Sequence, residues 1–223
     1  MASGELRVRP AVEADRAFLV EAIVEAEKSG TDRISYCGIF SLDEPGLHEL
    51  LEAILAEDFE GQELCVSGFL VGEIDGEPAG AACGWVEGAG GLPSTIVKAN
   101  LLQHFLDAER LAAARPRLRR LGELALERTP GAIQLESIYV RPAFRGRGVT
   151  GRILDEQLRR LGERAPEADK AQIVLMKDNA GAHRAYEKLG FAVVAERRTR
   201  DPALRALLPG DAKILMEKPL HQR

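Results

Sequence analysis

Apolar residues alternate with polar ones in some stretches of this chain and recur every third or fourth position in others. In LRVRPA, residues 6–11, the alternation predicts a short strand. Over 12–30, Phe18, Leu19, Ile23 and Val24 share one stripe, which predicts an amphipathic helix ended by Gly30. A second helix is predicted over GLHELLEAILAEDF, started after Pro45. Residues 63–88 read as two strands joined at Asp75-Gly76, a strong hairpin signal. The glycine break at 87–91 leads into a helical stretch opened by Pro93 and carrying Leu101, Leu102, Phe105 and Leu106. Pro116 is expected to interrupt it, with a second helix running to about Arg128. This part, about 87–131, reads as a helical insertion between two strands of one sheet, because so short a piece is small to bury a core of its own.

The remaining pattern is strand 132–140, helix 149–165 with Val149, Ile153, Leu154, Leu158 and Leu161 buried, and strand 171–178. A short helix follows, capped by Asn179 and ended by Gly190, then strands at 191–199 and 212–220. Repeats and low-complexity tracts are absent from the sequence. The whole chain, 1–223, is expected to form a single domain.

Between the strand at 132–140 and its helix lies RPAFRGRGVTG, with Gly146, Gly148 and Gly151 in the spacing G-x-G-x-x-G. A dinucleotide site needs a strand running straight into the first glycine and an acidic residue ~20 positions on. Here RPAFR intervenes, arginines flank the glycines, and the next strand ends only at Lys177-Asp178. The dinucleotide reading therefore fits poorly, and a Walker loop fails because no Gly-Lys-Ser/Thr is present. The loop still has the physics of an anion site. Glycines let backbone N–H groups turn inward, and the helix start carries roughly +0.5 of a charge. Arg145 and Arg147 add positive field, so a pyrophosphate is the natural guest.

Composition narrows the partners. The chain is 45% apolar and 29% charged, as expected of a packed globular protein. A net charge of -5 argues against a nucleic-acid or anionic-membrane binder. No apolar run approaches the ~18 residues of a spanning helix, and MASGELRVRP has no secretory apolar region. Cys37, Cys65 and Cys83 are odd in number and read as reduced, mostly buried thiols of a cytoplasmic protein. Charge is uneven: residues 1–60 hold 14 acidic and 5 basic side chains, whereas 141–164 hold seven arginines and net +4. Solvated helix faces account for such runs, and so does an acidic region meeting a cation beside a basic one meeting an anion.

The segment LESIYVRPAFRGRGVTGRILDEQL, then a buried strand, then NAGAHRAYEKLGF, resembles the GNAT superfamily of acyl-CoA-dependent N-acetyltransferases. The family pattern is a strand ending Val-x-Pro, a loop Arg/Gln-x-x-Gly-x-Gly/Ala, and a helix Asn-x-x-Ala-x-x-x-Tyr-x-x-x-Gly-Phe. This chain supplies Val140 and Pro142, Arg145 to Gly148, and Asn179, Ala182, Tyr186, Gly190 and Phe191. The close match covers 132–195. Thr150 departs from the pattern, standing where the family usually has Gly or Ala, with Gly151 one place later.

The resemblance implies an α/β fold with a mixed, mostly antiparallel central sheet, two splayed parallel strands, flanking helices and the helical insertion. It implies acetyl-CoA as co-substrate in the splay between 132–140 and 171–177. Backbone groups of Ile138, Tyr139 and Val140 would pair with the pantetheine arm. Amides of Arg145, Gly146, Arg147, Gly148, Val149, Thr150 and Gly151 would cradle the pyrophosphate, and Asn179 would hydrogen-bond the arm. The amide of Val140 would stabilise a developing oxyanion. Tyr186 matches the family tyrosine that protonates the departing thiolate. Many relatives carry a Glu where this chain has Gln134. Glu136 faces the same way and is the candidate base, directly or through a water, with Glu87 in reserve.

No metal is expected, since His48, His104 and His183 are isolated, with His183 read as exposed. Trp85 and Phe69 read as core. The acceptor is expected to be a small-molecule or peptide amine, with the acidic 13–60 region favouring a cationic one. The insertion is either a wall over the acceptor or a homodimer contact. A non-catalytic acyl-CoA-binding sensor on the same fold is the alternative to an enzyme.

Overall fold

The structure, a computed structural model, describes residues 4–220. Its centre is a seven-stranded sheet. The strands are β1 (Leu6–Pro10), β2 (Phe69–Ile74), β3 (Glu77–Val86), β4 (Ile133–Val140), β5 (Lys170–Met176), β6 (Ala192–Arg198) and β7 (Ala212–Pro219). They lie in the order β1-β2-β3-β4-β5-β7-β6. Every neighbouring pair is antiparallel except β4 and β5. The β2–β3 turn is at Asp75 and Gly76, both at positive φ, as a two-residue hairpin connection requires.

Helices cover both faces. On one, α1 (Arg16–Lys28), α2 (Ser35–Phe40) and α3 (Glu44–Glu57) pack with α4 (Ser94–Phe105) and α5 (Ala108–Leu121) over Val71, Ala81, Cys83, Trp85 and Tyr139. On the other, α6 (Val149–Arg164) and α7 (Ala180–Lys188) cover Leu70, Ala82, Leu135 and Ile173. In the α6 stripe, Val149, Ile153, Leu154 and Leu161 are buried as their spacing predicts, whereas Leu158 is only half-buried. Trp85 and Phe69 lie in the core, 4% and 1% exposed. None of the helices among the described residues is long and apolar enough to cross a membrane.

Three local readings differ from the pattern. The short helices α2 and α8 (Pro202–Leu207) lie in stretches without a clear period. Pro116 stands inside α5, and the break falls instead at Leu106 and Asp107, where the Asp107 carboxylate caps the Arg110 amide at 2.7 Å. Docking holds α5 together despite the missing N–H. Arg117 donates to Ile39 O and Ser41 Oγ, and Arg110 donates to Ser41 O, so both arginines satisfy the C-terminal end of α2. The chain then runs from Ala125 to Pro130 without helix, so Arg128 is not helical.

Two features set the site. The parallel strands β4 and β5 pair only at Ile133–Ala171 and Gln134–Gln172, and beyond that point they part. A buried clamp closes the joined end. Gln134 Nε2 donates to Gln172 Oε1 at 2.7 Å, the Thr129 amide donates to the same oxygen at 2.9 Å, and Gln172 Nε2 donates to Glu217. Past the clamp, β4 carries an extra residue opposite β3. Cys83 faces Glu136 and Ala81 faces Tyr139, with Ser137 between them at φ 50. This bulge bends β4 away from β5.

Candidate active site

The parted strands open into a cavity of about 640 Å3, lined from the end of α1 at one side to the loop before α6 at the other. At the loop end, Gly146 and Gly148 both hold φ 77, a conformation that glycine adopts without cost. Among the described residues, the amides from Gly146 to Gly151 donate to no backbone acceptor, whereas the Arg152 amide closes the first helical bond to Gly148 O at 3.2 Å. A row of free donors at a helix start is built to take an anion.

Seven of the predicted cofactor residues lie in this loop and were expected to act through amides, and they divide by position. Arg145, Gly146, Gly148, Val149 and Thr150 line the cavity. The Arg147 side chain turns away and stacks 5.7 Å from the Phe144 ring centroid, so only its backbone faces the row of donors. Gly151 lies inside α6, against Leu189, and likewise offers its amide alone. Arg145 Nε is tied to Val140 O at 3.1 Å.

Strand β4 forms one wall through Ile138, Tyr139 and Val140. The Arg141 amide donates across to Ala79 O in β3, so alternation turns the amides of Val140 and Ile138 the other way, into the gap. The Tyr139 hydroxyl instead donates to Glu21 at 3.2 Å. Opposite stand Asn179 and Tyr186. Asn179 Oδ1 accepts the Ala182 amide at 3.2 Å and caps α7, which leaves its side-chain NH2 free for the gap. Tyr186 is 6% exposed and packs edge-on against Phe191. Burial, with the Glu136 charge adding, pushes its phenol well above the ordinary value, so it stays protonated and can donate.

The far end of the cavity is ionic. Glu136 accepts a short hydrogen bond from Arg128, whose guanidinium lies 5.2 Å from the Trp85 ring centroid and also donates to Ser94 Oγ. Lys98 of α4 pairs with Glu63. Burial alone would push the Glu63 carboxyl up, but the charges of Lys98 and Arg128 outweigh it and hold the group at about 2. Glu27, near the end of α1, moves the opposite way: burial raises it above the usual carboxylate range.

Other sequence candidates fall elsewhere. Glu87 accepts hydrogen bonds from Trp85 Nε1 and the Ser94 amide, which anchors the start of α4 away from this cavity. Gln134 belongs to the strand clamp. His183 is half-buried rather than exposed, 3.7 Å from Glu187. The cavity residues Glu27, Ser35, Glu63, Lys98 and Arg128 escaped the sequence pattern because they come from five separated segments with no shared spacing.

The comparisons with other proteins agree with this geometry. Among proteins of curated function, none matches the sequence. An N-acetyltransferase from Staphylococcus aureus superposes with a TM-score of 0.62 at 17% identity, over 95% of this chain and 99% of that one. A ribosomal-protein-alanine N-acetyltransferase from Brucella melitensis gives 0.52 at 18% identity, over 96% and 99%. An acetyltransferase of the GNAT family from Streptococcus pneumoniae gives 0.52 at 17% identity, over 97% and 100%. These likenesses show the fold. The family model described as the acetyltransferase (GNAT) family matches residues 34–191, more than half of the chain, and the protein therefore belongs to the GNAT acetyltransferase family.

Proposed function

We propose that this acetyltransferase moves an acetyl group from acetyl-CoA to a primary amine of a small molecule or peptide. The observation that carries the reading is the row of free amides from Gly146 to Gly151 beside the gap between β4 and β5. The residues fit the coenzyme. A diphosphate matches the free donors, and an extended amide-bearing arm matches the unpaired edge of β4 at Ile138 and Val140.

Acetyl-CoA supplies an activated thioester carbonyl and leaves as the free thiol. The chain's part is to hold, orient and move protons. The loop amides bind the diphosphate, Asn179 donates to the arm, and the Val140 amide stabilises charge on the carbonyl oxygen. Tyr186 donates a proton toward the sulfur. Glu136 meets the acceptor nitrogen, with Arg128 fixing its orientation.

Unmet hydrogen-bonding capacity at the acceptor end lies in acceptor oxygens. Glu63 Oε2 is buried without a partner, and Glu27 forms no ion pair among the described residues. Both favour a guest rich in N–H donors, a cationic amine. The insertion supplies Lys98 and Arg128 to this wall, which supports its reading as a cover over the acceptor.

Thiol release from acetyl-CoA, measured with spermidine, an aminoglycoside, an alanine-initiated peptide, an aromatic amine and glutamate, tests the reading. Cationic acceptors are expected to lead. An aromatic or acidic amine outperforming every cation would overturn the acceptor class. Saturable acetyl-CoA binding with no turnover on any amine would leave a non-catalytic acyl-CoA-binding module instead. Gly148→Val is expected to weaken acetyl-CoA binding at least tenfold. A β-branched residue at φ 77 costs about 1–2 kcal/mol of backbone strain, and its relief would turn the loop amides out of line. Isothermal titration of the variant checks this.

A further inference from the structure

Four carboxylates line the cavity: Glu25, Glu27, Glu63 and Glu136. Three of them hold a cation. Glu25 pairs with Lys28 at 2.8 Å, Glu63 with Lys98, and Glu136 with Arg128. Glu27 alone has no salt-bridge partner among the described residues. A proton arriving on Glu63 or Glu136 would strip a buried cation of its counter-charge, whereas a proton on Glu27 breaks no pair.

The position of Glu27 points the same way. It lies in the last turn of α1, where the helix's negative pole disfavours a second negative charge. It is enclosed by protein yet keeps part of its surface open to the cavity. The groups facing it are Ser35 of α2, Lys98 of α4, Glu136 of β4 and Lys213 of β7. The two lysines and a Ser35 hydrogen bond favour its charged form and Glu136 opposes it, but burial dominates and lifts the carboxyl above the ordinary 4.5. Glu136 lines the same cavity, and its charge is felt by both Glu27 and Tyr186.

We propose that Glu27 is the general base of the reaction, taking the proton from the acceptor ammonium that Glu136 holds. This rests on the acetyl-transfer reading above. The ammonium gives one proton to Glu27, which passes it to bulk water. As the nitrogen–carbon bond forms and the carbon–sulfur bond breaks, the nitrogen gives its second proton, through the emptied Glu27 carboxylate, to water, and the sulfur gains one from Tyr186. Return of a proton to Tyr186 closes the cycle, so the net products are the acetamide, the free thiol and one proton in water. Two carboxylates then divide the work: the ion-paired one orients and the unpaired one accepts.

The test is Glu27→Gln, isosteric but unable to accept the proton. With spermidine as acceptor, kcat at neutral pH is expected to fall about 10²-fold or more, with the KM for acetyl-CoA unchanged. The acidic limb of the wild-type kcat profile, expected with its midpoint above 4.5, should vanish in the variant. Glu27→Asp should restore part of the rate and the limb. A variant that keeps wild-type kcat and the same limb overturns the proposal. A second measurement needs no acceptor. The carboxyl carbon resonance that disappears in Glu27→Gln is followed by NMR against pH in the full protein. Titration above the ordinary carboxylate range supports the assignment, and titration at or below 4.5 overturns it. A failure of acetyl transfer itself shows separately, as wild-type protein that binds acetyl-CoA and acetylates no amine.

Discussion

Tyr186→Phe is expected to lower kcat by about 10²- to 10⁴-fold, the usual contribution of a positioned proton donor, while acetyl-CoA binds as in the wild type. The phenylalanine keeps the ring, and with it the edge-on contact to Phe191 and the burial of α7 against the sheet. Only the hydroxyl is lost. Tyr186 lines the cavity together with residues of β4 and β5, and burial keeps its phenol protonated beyond its ordinary value of 10.0. The wild-type kcat profile should therefore show no basic limb from this group below that value. Steady-state kinetics paired with calorimetry separates the two effects. A phenylalanine variant with undiminished kcat would remove Tyr186 from the mechanism.

Arg128→Met is expected to cost about 3–5 kcal/mol of stability at neutral pH, the range for breaking a buried ion pair by deleting one partner. At the size of this chain that is on the order of 10 °C in the unfolding midpoint. Methionine retains packing over Trp85 but leaves Glu136 without its partner and Glu63 with Lys98 alone. Both side chains of the Arg128–Glu136 pair are largely shielded, 13% and 21% exposed, so water screens the loss little. The pH dependence follows from Glu63. Its folded carboxyl sits at about 2, below the ordinary 4.5, so its stabilisation is complete above 4.5 and is lost as pH falls through about 2. Part of that depression comes from Arg128, so the deficit of the variant should narrow across the same window. Thermal unfolding at several pH values measures it, and a deficit that stays constant with pH would contradict the electrostatic account.

Much of the candidate donor half of the site was legible in the sequence, because it is built from contiguous chain. Val140, Gly146, Gly148, Asn179 and Tyr186 lie in one strand–loop–helix–strand–helix run whose spacing carries its own geometry. The bulge also left a trace. The apolar positions of β4 that face α6 and α7 slip from the buried Ile133 and Leu135 to the half-buried Ile138 and Val140, a change of parity at Ser137 that an ordinary strand would not show. The proposed acceptor half was not legible for the opposite reason. Glu27, Glu63, Lys98 and Arg128 are brought together only by tertiary packing of α1, the segment before β2, α4 and the segment before β4. In the sequence Glu27 is one acidic residue among the 14 of the first 60, indistinguishable from a solvated helix face. The structural role of Gln134 was not legible either. It occupies the position where many relatives have a carboxylate, yet its amide joins β4 to β5 below the gap. Pro116 shows that anchoring by Arg110 and Arg117 overrides a local breaker.

The loop from Gly146 to Gly151 is expected to clasp the diphosphate of acetyl-CoA beside the parted strands. Isothermal titration of the folded wild-type protein with acetyl-CoA tests this directly, with Gly148→Val as the comparison. Saturable one-to-one binding that the valine variant weakens at least tenfold is the predicted result. No heat of association from folded protein at millimolar acetyl-CoA would contradict it.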